Sequence, residues 1–209
     1  MTTQKPGKIV IISSPSGGGK TSICRKLLSR KRRAEGWSFS ISYTTRARRT
    51  GERDGREYHF VTPEKFDKLV KQRFFAEHCD VHQYKYGTPH GPLDKVRKSG
   101  GVMLLDVDVA GAGKLRKEFP DAISIFVLPP SVTALKERLR ARGTETSKQL
   151  TVRFRNAKRE MRSFRKFGFD YVVVNRELDK AVKNVLSIIA AHSCRLENIS
   201  KEQIRKITG

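Results

Sequence analysis

The sequence predicts an α/β fold: a parallel sheet flanked by helices, with a mixed α/β insertion and a helical lid. Three observations lead there. Short apolar runs rich in β-branched residues, at 7–13, 102–108, 123–128 and 171–175, alternate with stretches of helical spacing, the pattern of buried parallel strands joined by crossover helices. The first run ends in a turn of small residues, Ser14-Pro15-Ser16-Gly17-Gly18-Gly19, that leads directly into a helix. Two strongly basic stretches interrupt the alternation, one with period-two segments and one with helical spacing.

Taken in order, Gly7 to Ser13 reads as a buried strand and Lys20 to Arg33 as a helix. Ser38 to Tyr43 and Tyr58 to Val61 alternate with period two around the charged stretch Arg46 to Arg56, which reads as a small mixed-sheet insertion. Pro63 is placed to open a helix over Glu64 to Gln72. Phe74 to Glu77 reads as a strand, Gln83 to Gly87 as a loop and Pro89 to Ser99 as a helix. Val102 to Asp108 is a buried strand with acids at its end, where a parallel sheet carries its chemistry. Ile123 to Leu128 is similar, Ser131 to Phe167 reads as a long helical stretch, and Tyr171 to Asn175 as a further strand before a helix from Leu178 to His192. Arg195 to Gly209 reads as an extra amphipathic helix or a tail, with neither favoured.

Of the 209 residues 37% are hydrophobic and 16 are glycine, the content of an ordinary globular domain, so one core with insertions is expected. Cys24, Cys79 and Cys194 form neither a disulfide framework nor a CxxC pair, which points to a reducing compartment. His78, Cys79 and His82 lie close together but lack a convincing fourth metal ligand. No apolar run approaches the ~18 residues of a membrane span, and residues 1–6 lack an apolar signal stretch, so a soluble, cytoplasmic protein without membrane partners is expected.

Against 44 Lys and Arg stand 21 Asp and Glu, a formal charge of +23 that excludes an acidic disordered tail. Such an excess raises nucleic acid, anionic membranes and phosphorylated small molecules as partners. Arg25 to Tyr58 holds 11 basic residues against 4 acids, and Lys136 to Lys166 holds 12 against 3. No arginine-rich tail, zinc-finger spacing or RRM-type aromatic motif accompanies them, so nucleic-acid binding rests on charge alone and is expected to be no more than weak, nonspecific RNA association.

Ser14-Pro15-Ser16-Gly17-Gly18-Gly19-Lys20-Thr21 fits the phosphate-binding loop G-x-x-x-x-G-K-[ST] except for serine at its first position. Small residues let successive N–H groups curl around phosphate, the helix N-terminus adds its positive dipole end, Lys20 reaches the β and γ phosphates, and Thr21 ligates Mg²⁺ directly. The strand before it and the helix after it make the fold a P-loop NTPase-type sheet.

From about Lys8 to Ser193 the sequence resembles guanylate kinase, a P-loop nucleoside monophosphate kinase family, and several motifs fall in family order. Ser13 to Thr21 is similar to its P-loop, extended by Ser22, and there the first glycine can be another small residue. Ser42-Tyr43-Thr44-Thr45-Arg46-Ala47-Arg48-Arg49, with Glu52, Gly55 and Tyr58, resembles the segment that receives GMP. Glu77, the Tyr84 to Pro89 loop with Tyr86 and Thr88, and Leu105-Asp106-Val107-Asp108 resemble the remaining acceptor contacts and the L-D-x-D strand end. Arg142 to Thr146 resembles the start of the lid, and Asn175-Arg176 departs from the family's frequent N-D pair.

The resemblance implies ATP as phosphoryl donor, GMP as acceptor with dGMP beside it, Mg²⁺ as cofactor, and a place in purine nucleotide metabolism and GMP recycling. It implies a core of 1–36, 92–137 and 168–194, a GMP-binding insertion of 37–91, a lid of 138–167 and a tail or helix of 195–209. Ser14 to Ser22 and Arg142 would bind ATP, and Ser42, Arg46, Arg49, Glu52, Tyr58, Glu77, Tyr86, Thr88, Asp106 and Asp108 would form the GMP site. Asp106 would also act on Mg²⁺ through water, and Lys20, Arg138, Arg142 and Arg153 would serve catalysis. The residue types suit that chemistry. Arg46 and Arg49 can fork onto a dianionic phosphate with Tyr58 adding an O–H donor, and Glu77 offers two acceptors to the N1–H and N2 amino donors of guanine. Phosphoryl transfer needs placement and charge neutralisation rather than a nucleophilic side chain. A related kinase acting on a ribose bisphosphate and a non-catalytic guanylate-kinase-like binding module stand as alternatives.

Overall fold

The computed structural model describes residues 7–81, 83–141, 147–195, 199 and 204–205. The chain begins with β1 (Lys8–Ser13), α1 (Lys20–Leu27), α2 (Arg30–Ala34) and β2 (Trp37–Phe39). It continues through β3 (Tyr43–Thr44), β4 (His59–Phe60), α3 (Pro63–Lys71), β5 (Phe75–Val81), β6 (Tyr84–Pro89) and α4 (His90–Ser99). Next come β7 (Val102–Asp106), α5 (Val109–Glu118), β8 (Ile123–Leu128) and α6 (Val132–Arg140). The last described elements are α7 (Ser147–Ser163), a 3-10 turn (Phe164–Phe167), β9 (Tyr171–Val174) and α8 (Leu178–Ser193).

Strand β1 is the centre of a five-stranded sheet of order β2-β7-β1-β8-β9, in which every pairing is parallel. Strand alternation explains its two-sided burial. Val10 and Ile12 join Ile23 and Leu27 of α1 and Val185 and Ile189 of α8 on one face, while Ile9 and Ile11 join Leu93 of α4 and Leu115 of α5 on the other. Ile12 pairs with Asp106 and Ser13 with Phe126, so the turn after β1 leaves the sheet at its C-terminal edge beside the acid that ends β7. A second sheet, of order β4-β3-β6-β5, mixes a parallel β3–β4 pair with antiparallel β3–β6 and β5–β6 pairs. Its aromatic packing is led by Phe66, which stacks on Phe75 at 4.8 Å.

Several elements differ from the sequence reading. Lys20 to Arg33 is two helices, because Ser29 takes an extended ψ of 157° and accepts from the Arg32 N–H as a new N-cap. Ser38 to Tyr43 is not one strand: β2 pairs with β7 in the parallel sheet, and the chain crosses to the second sheet only at Tyr43. The loop expected over Gln83 to Gly87 is mostly strand, since β6 pairs with β5 from Tyr84 to Pro89. Helix α5 went unread, its two glycines masking an N-terminus capped by the Asp108 side chain on the Gly111 N–H. The long stretch after Ser131 is α6, α7 and the 3-10 turn, and most of 195–209 lies outside the described residues.

Candidate active site

The turn after β1 is shaped by its own bonds. The Gly18 N–H donates to the Pro15 carbonyl at 2.8 Å, and Gly19, at φ 99°, caps α1 in a left-handed conformation that favours glycine. A Cβ on Gly19 would lie 2.2 Å from Asn175 Nδ2, which itself donates to the Gly18 carbonyl at 3.1 Å. Ser14, standing where the motif has glycine, is buried and donates from Oγ to the Pro15 carbonyl at 3.0 Å.

Lys20 and Thr21 both turn to Asp106. The Lys20 ammonium lies 2.6 Å from Asp106 Oδ1 and donates to the Val107 carbonyl at 3.1 Å, while Thr21 Oγ1 donates to Asp106 Oδ2 at 2.7 Å. Burial works against the charge on Lys20, but Asp106 outweighs it and holds the ammonium above its ordinary range. A hydroxyl and a carboxylate in contact are hard oxygen donors of the kind Mg²⁺ accepts. Among the described residues no three His, Cys, Asp or Glu side chains cluster as a cage.

Arg138 donates from Nη2 to the Asn175 carbonyl at 2.9 Å, leaving Nη1 and Asn175 Oδ1 buried without partners. Both residues line a cavity of about 300 Å³ with Gly17, Gly19, Ser22 and Leu178. Arg153 lies half-buried in α7, and Arg142 and His82 lie outside the described residues.

A second set gathers on the inserted sheet. Arg46, only 7% exposed, donates from Nη2 to Glu52 Oε1 and from Nη1 to the Ala47 carbonyl, and its guanidinium lies over the Tyr58 and Phe60 rings. Tyr86 stands beside Tyr58, ring centroids 5.7 Å apart. The other Glu52 oxygen accepts the Arg49 N–H at 2.8 Å, so one carboxylate holds both arginine positions. Burial opposes that charge, yet Arg46 and the Arg49 N–H keep the Glu52 carboxyl below the usual range. Burial and the Asp106 carboxylate push the Tyr58 phenol up to about 12.

Beyond them lies Glu77, 4% exposed. A register shift between Phe75 and Glu77 sets it opposite Thr88, whose hydroxyl donates to Glu77 Oε1 at 2.7 Å. Its other oxygen is buried without a partner. Burial, with Asp108 beside it, pushes this carboxyl up to about 7, against the Thr88 bond and Lys114. Asp108 accepts from the Gly111 N–H and from the Cys79 thiol, and Ser42 lies at the rim, half-buried, its carbonyl accepting the His59 N–H.

The geometry thus joins Lys20 and Thr21 to Asp106, and Arg46 to Tyr58 and Glu52 with Tyr86 beside Tyr58, while Glu77 stands on β5 opposite Thr88. Glu52, Thr88 and Asp108, expected at the acceptor, have side-chain atoms engaged with protein groups. The sequence reading passed over Asn175 as a prop of the P-loop, and Glu160, the half-buried acid of α7. Burial, with Asp108 nearby, raises the Glu160 carboxyl.

The family model described as guanylate kinase matches residues 6–192. The chain belongs to the guanylate kinase family. It is 44% identical over 199 residues to a guanylate kinase of Syntrophotalea carbinolica, covering 95% of this chain and 92% of that protein. It is 43% identical over 197 residues to a guanylate kinase of Paramagnetospirillum magneticum, covering 94% and 90%. The crystal structure of guanylate kinase from Anaplasma phagocytophilum superposes with a TM-score of 0.74 at 31% identity, over 92% of this chain and 89% of that one. Guanylate kinase membership makes the chain a nucleoside monophosphate kinase, and the two sheets described above are that family's α/β architecture.

Proposed function

We propose that this enzyme transfers the γ-phosphoryl group of ATP to GMP, and to dGMP, giving ADP and the corresponding diphosphate. The buried, unpartnered Glu77 oxygen carries the reading. Guanine presents two adjacent donors to the two carboxylate oxygens, whereas adenine presents an unprotonated N1 that leaves the buried charge without a partner. A ribose bisphosphate would leave it without a donor as well.

Arg46, Arg49, Tyr58 and Tyr86 hold the acceptor phosphate, with Glu52 pre-setting the two arginines. An acceptor phosphate on Arg46 and Tyr58, whose phenol feels the Asp106 and Lys20 charges, would face the donor at the P-loop. The backbone amides of Ser14 to Ser22 cradle the ATP phosphates, Lys20 leaves Asp106 to neutralise them, and Arg138, Arg142 and Arg153 add charge from the lid side. Thr21 and Asp106 would hold Mg²⁺, which would supply further neutralisation of the phosphates. The acceptor phosphate is already ionised at neutral pH, so no general base is needed.

The kinase reading implies a cytoplasmic enzyme of purine nucleotide recycling; among the described residues no helix is long and apolar enough to cross a membrane. An assay of ADP formation from Mg-ATP across GMP, dGMP, AMP, UMP and ribose 1,5-bisphosphate tests the reading. Turnover with GMP and dGMP is expected, and preference for AMP or the sugar would refute it.

A further inference from the structure

Helix α5 carries two glycines, and their surroundings differ. Neither takes a positive φ, so alanine fits the backbone at both, and in a helix interior glycine costs stability relative to alanine. A Cβ on Gly113 would meet nothing within 4 Å. A Cβ on the buried Gly111 would lie 3.0 Å from Glu77 Oε2, 3.3 Å from Glu77 Cδ and 3.2 Å from Asp108 Oδ1. The oxygen that Gly111 faces is the buried one without a hydrogen-bond partner. Both sides of this contact are held in place. Glu77 stands on the paired strand β5, with Oε1 accepting from the Thr88 hydroxyl at 2.7 Å. Helix α5 is tied to that strand on either side of Gly111: Lys114 donates to the His78 carbonyl, and the Cys79 thiol donates to Asp108 Oδ2 at 3.5 Å.

We propose that Gly111 is a positioning residue that sets acceptor specificity: lacking a side chain, it lets the first turn of α5 close against Glu77 and keeps both carboxylate oxygens where the two donors of guanine meet them. The proposal deepens the GMP reading of Glu77 and rests on it. A methyl group at 111 must displace the carboxylate by a few tenths of an ångström, because the contact it would make is too tight to stand. Two parallel hydrogen bonds to a planar base lose their alignment together when the carboxylate shifts, whereas adenine, which cannot form the pair, is little affected.

Kinetics and equilibrium unfolding of Gly111→Ala, Gly113→Ala, Glu77→Ala and the Glu77→Ala/Gly111→Ala pair test this. Gly111→Ala is expected to raise the KM for GMP about tenfold or more, with kcat and the KM for ATP within about twofold, and to lower the GMP-to-AMP ratio of kcat/KM by a similar factor. Gly113→Ala, which changes the same helix at an open position, is expected to keep the parent values. On the Glu77→Ala background the change at 111 is expected to move the KM for GMP by less than about twofold, because it acts through that carboxylate. A Gly111→Ala enzyme with the parent KM and ratio, or one whose loss persists in full without Glu77, would overturn the proposal. Urea midpoints of the nucleotide-free chain report the contact without turnover. Gly113→Ala is expected to raise the midpoint, Gly111→Ala to leave it level or lower it, and Gly111→Ala to raise it once Glu77 is alanine. An equal rise for both glycine variants in the parent would overturn the contact even if the enzyme phosphorylates GMP. The expected midpoints in a chain that does not phosphorylate GMP would place the failure in the kinase reading and not in the contact.

Discussion

The P-loop and the proposed acceptor site are both suited to phosphate, but by different means. The P-loop is one contiguous stretch whose donors are backbone N–H groups, and its single side-chain cation, Lys20, is parked on Asp106 at 2.6 Å. The proposed acceptor site is assembled from side chains between Ser42 and Asp108, drawn from the loops before and after β3, from β5 and β6, and from the end of β7 and the turn after it, and its arginine pair is propped by Glu52. In the first site chain conformation makes the binding surface, and the cation must change partner when the donor arrives. In the second, internal ion pairing makes the surface, and the cation stays with its partner. Changes in the P-loop should therefore cost chemistry, and changes around Glu52 should cost acceptor affinity.

Lys20→Ala should separate the two sites most widely. It removes the donor-side cation, and a loss of about 10³-fold in kcat, or ~4 kcal/mol, is expected with little change in the KM for GMP. A matching rise in that KM would erase the distinction.

Next in size is the pH dependence at Glu77. Between the ordinary value of 4.5 and about 7 the folded chain holds a proton there that the unfolded chain has released. Stability from this group is therefore present at low pH and declines as pH rises through that window, by up to roughly 3 kcal/mol. Glu77→Gln should lack that decline, and urea midpoints of parent and variant at about pH 5 and about pH 8 measure the difference.

The smallest effect belongs to Glu52→Gln. Loosening Arg46 and Arg49 should raise the KM for GMP about tenfold, ~1.4 kcal/mol, and leave kcat within about threefold. A fall in kcat alone, read from saturation curves, would place Glu52 with the donor site instead.

How much of this could be read from the sequence follows the same division. The P-loop was legible because its signal is local: a buried strand, small residues and Gly19-Lys20-Thr21 in a row. The acceptor residues are far apart in sequence, and only the resemblance to a family joined Arg46 to Glu77. What stayed hidden was set by tertiary contact. Strand β6 carries Gly87 and polar residues that look like a loop until β5 pairs with it. Thr88 could be named but not its bond to Glu77. Glu160 sits in an arginine-rich helix whose spacing gives no sign that its one acid is half-buried. Part of the +23 charge also proved structural: Arg32 and Arg33 donate to the carbonyls of Leu27 and Leu28 that close α1, and Arg32 lies over Trp37.

The central claim is that a buried carboxylate with one unpartnered oxygen reads the acceptor base. Its most direct test is the ratio of kcat/KM for GMP to that for AMP in the parent and in Glu77→Gln. The parent should strongly favour GMP, and the variant should lose about 10²-fold or more on GMP while AMP changes little, so that the ratio collapses. A Glu77→Gln enzyme that keeps the parent ratio would contradict the claim.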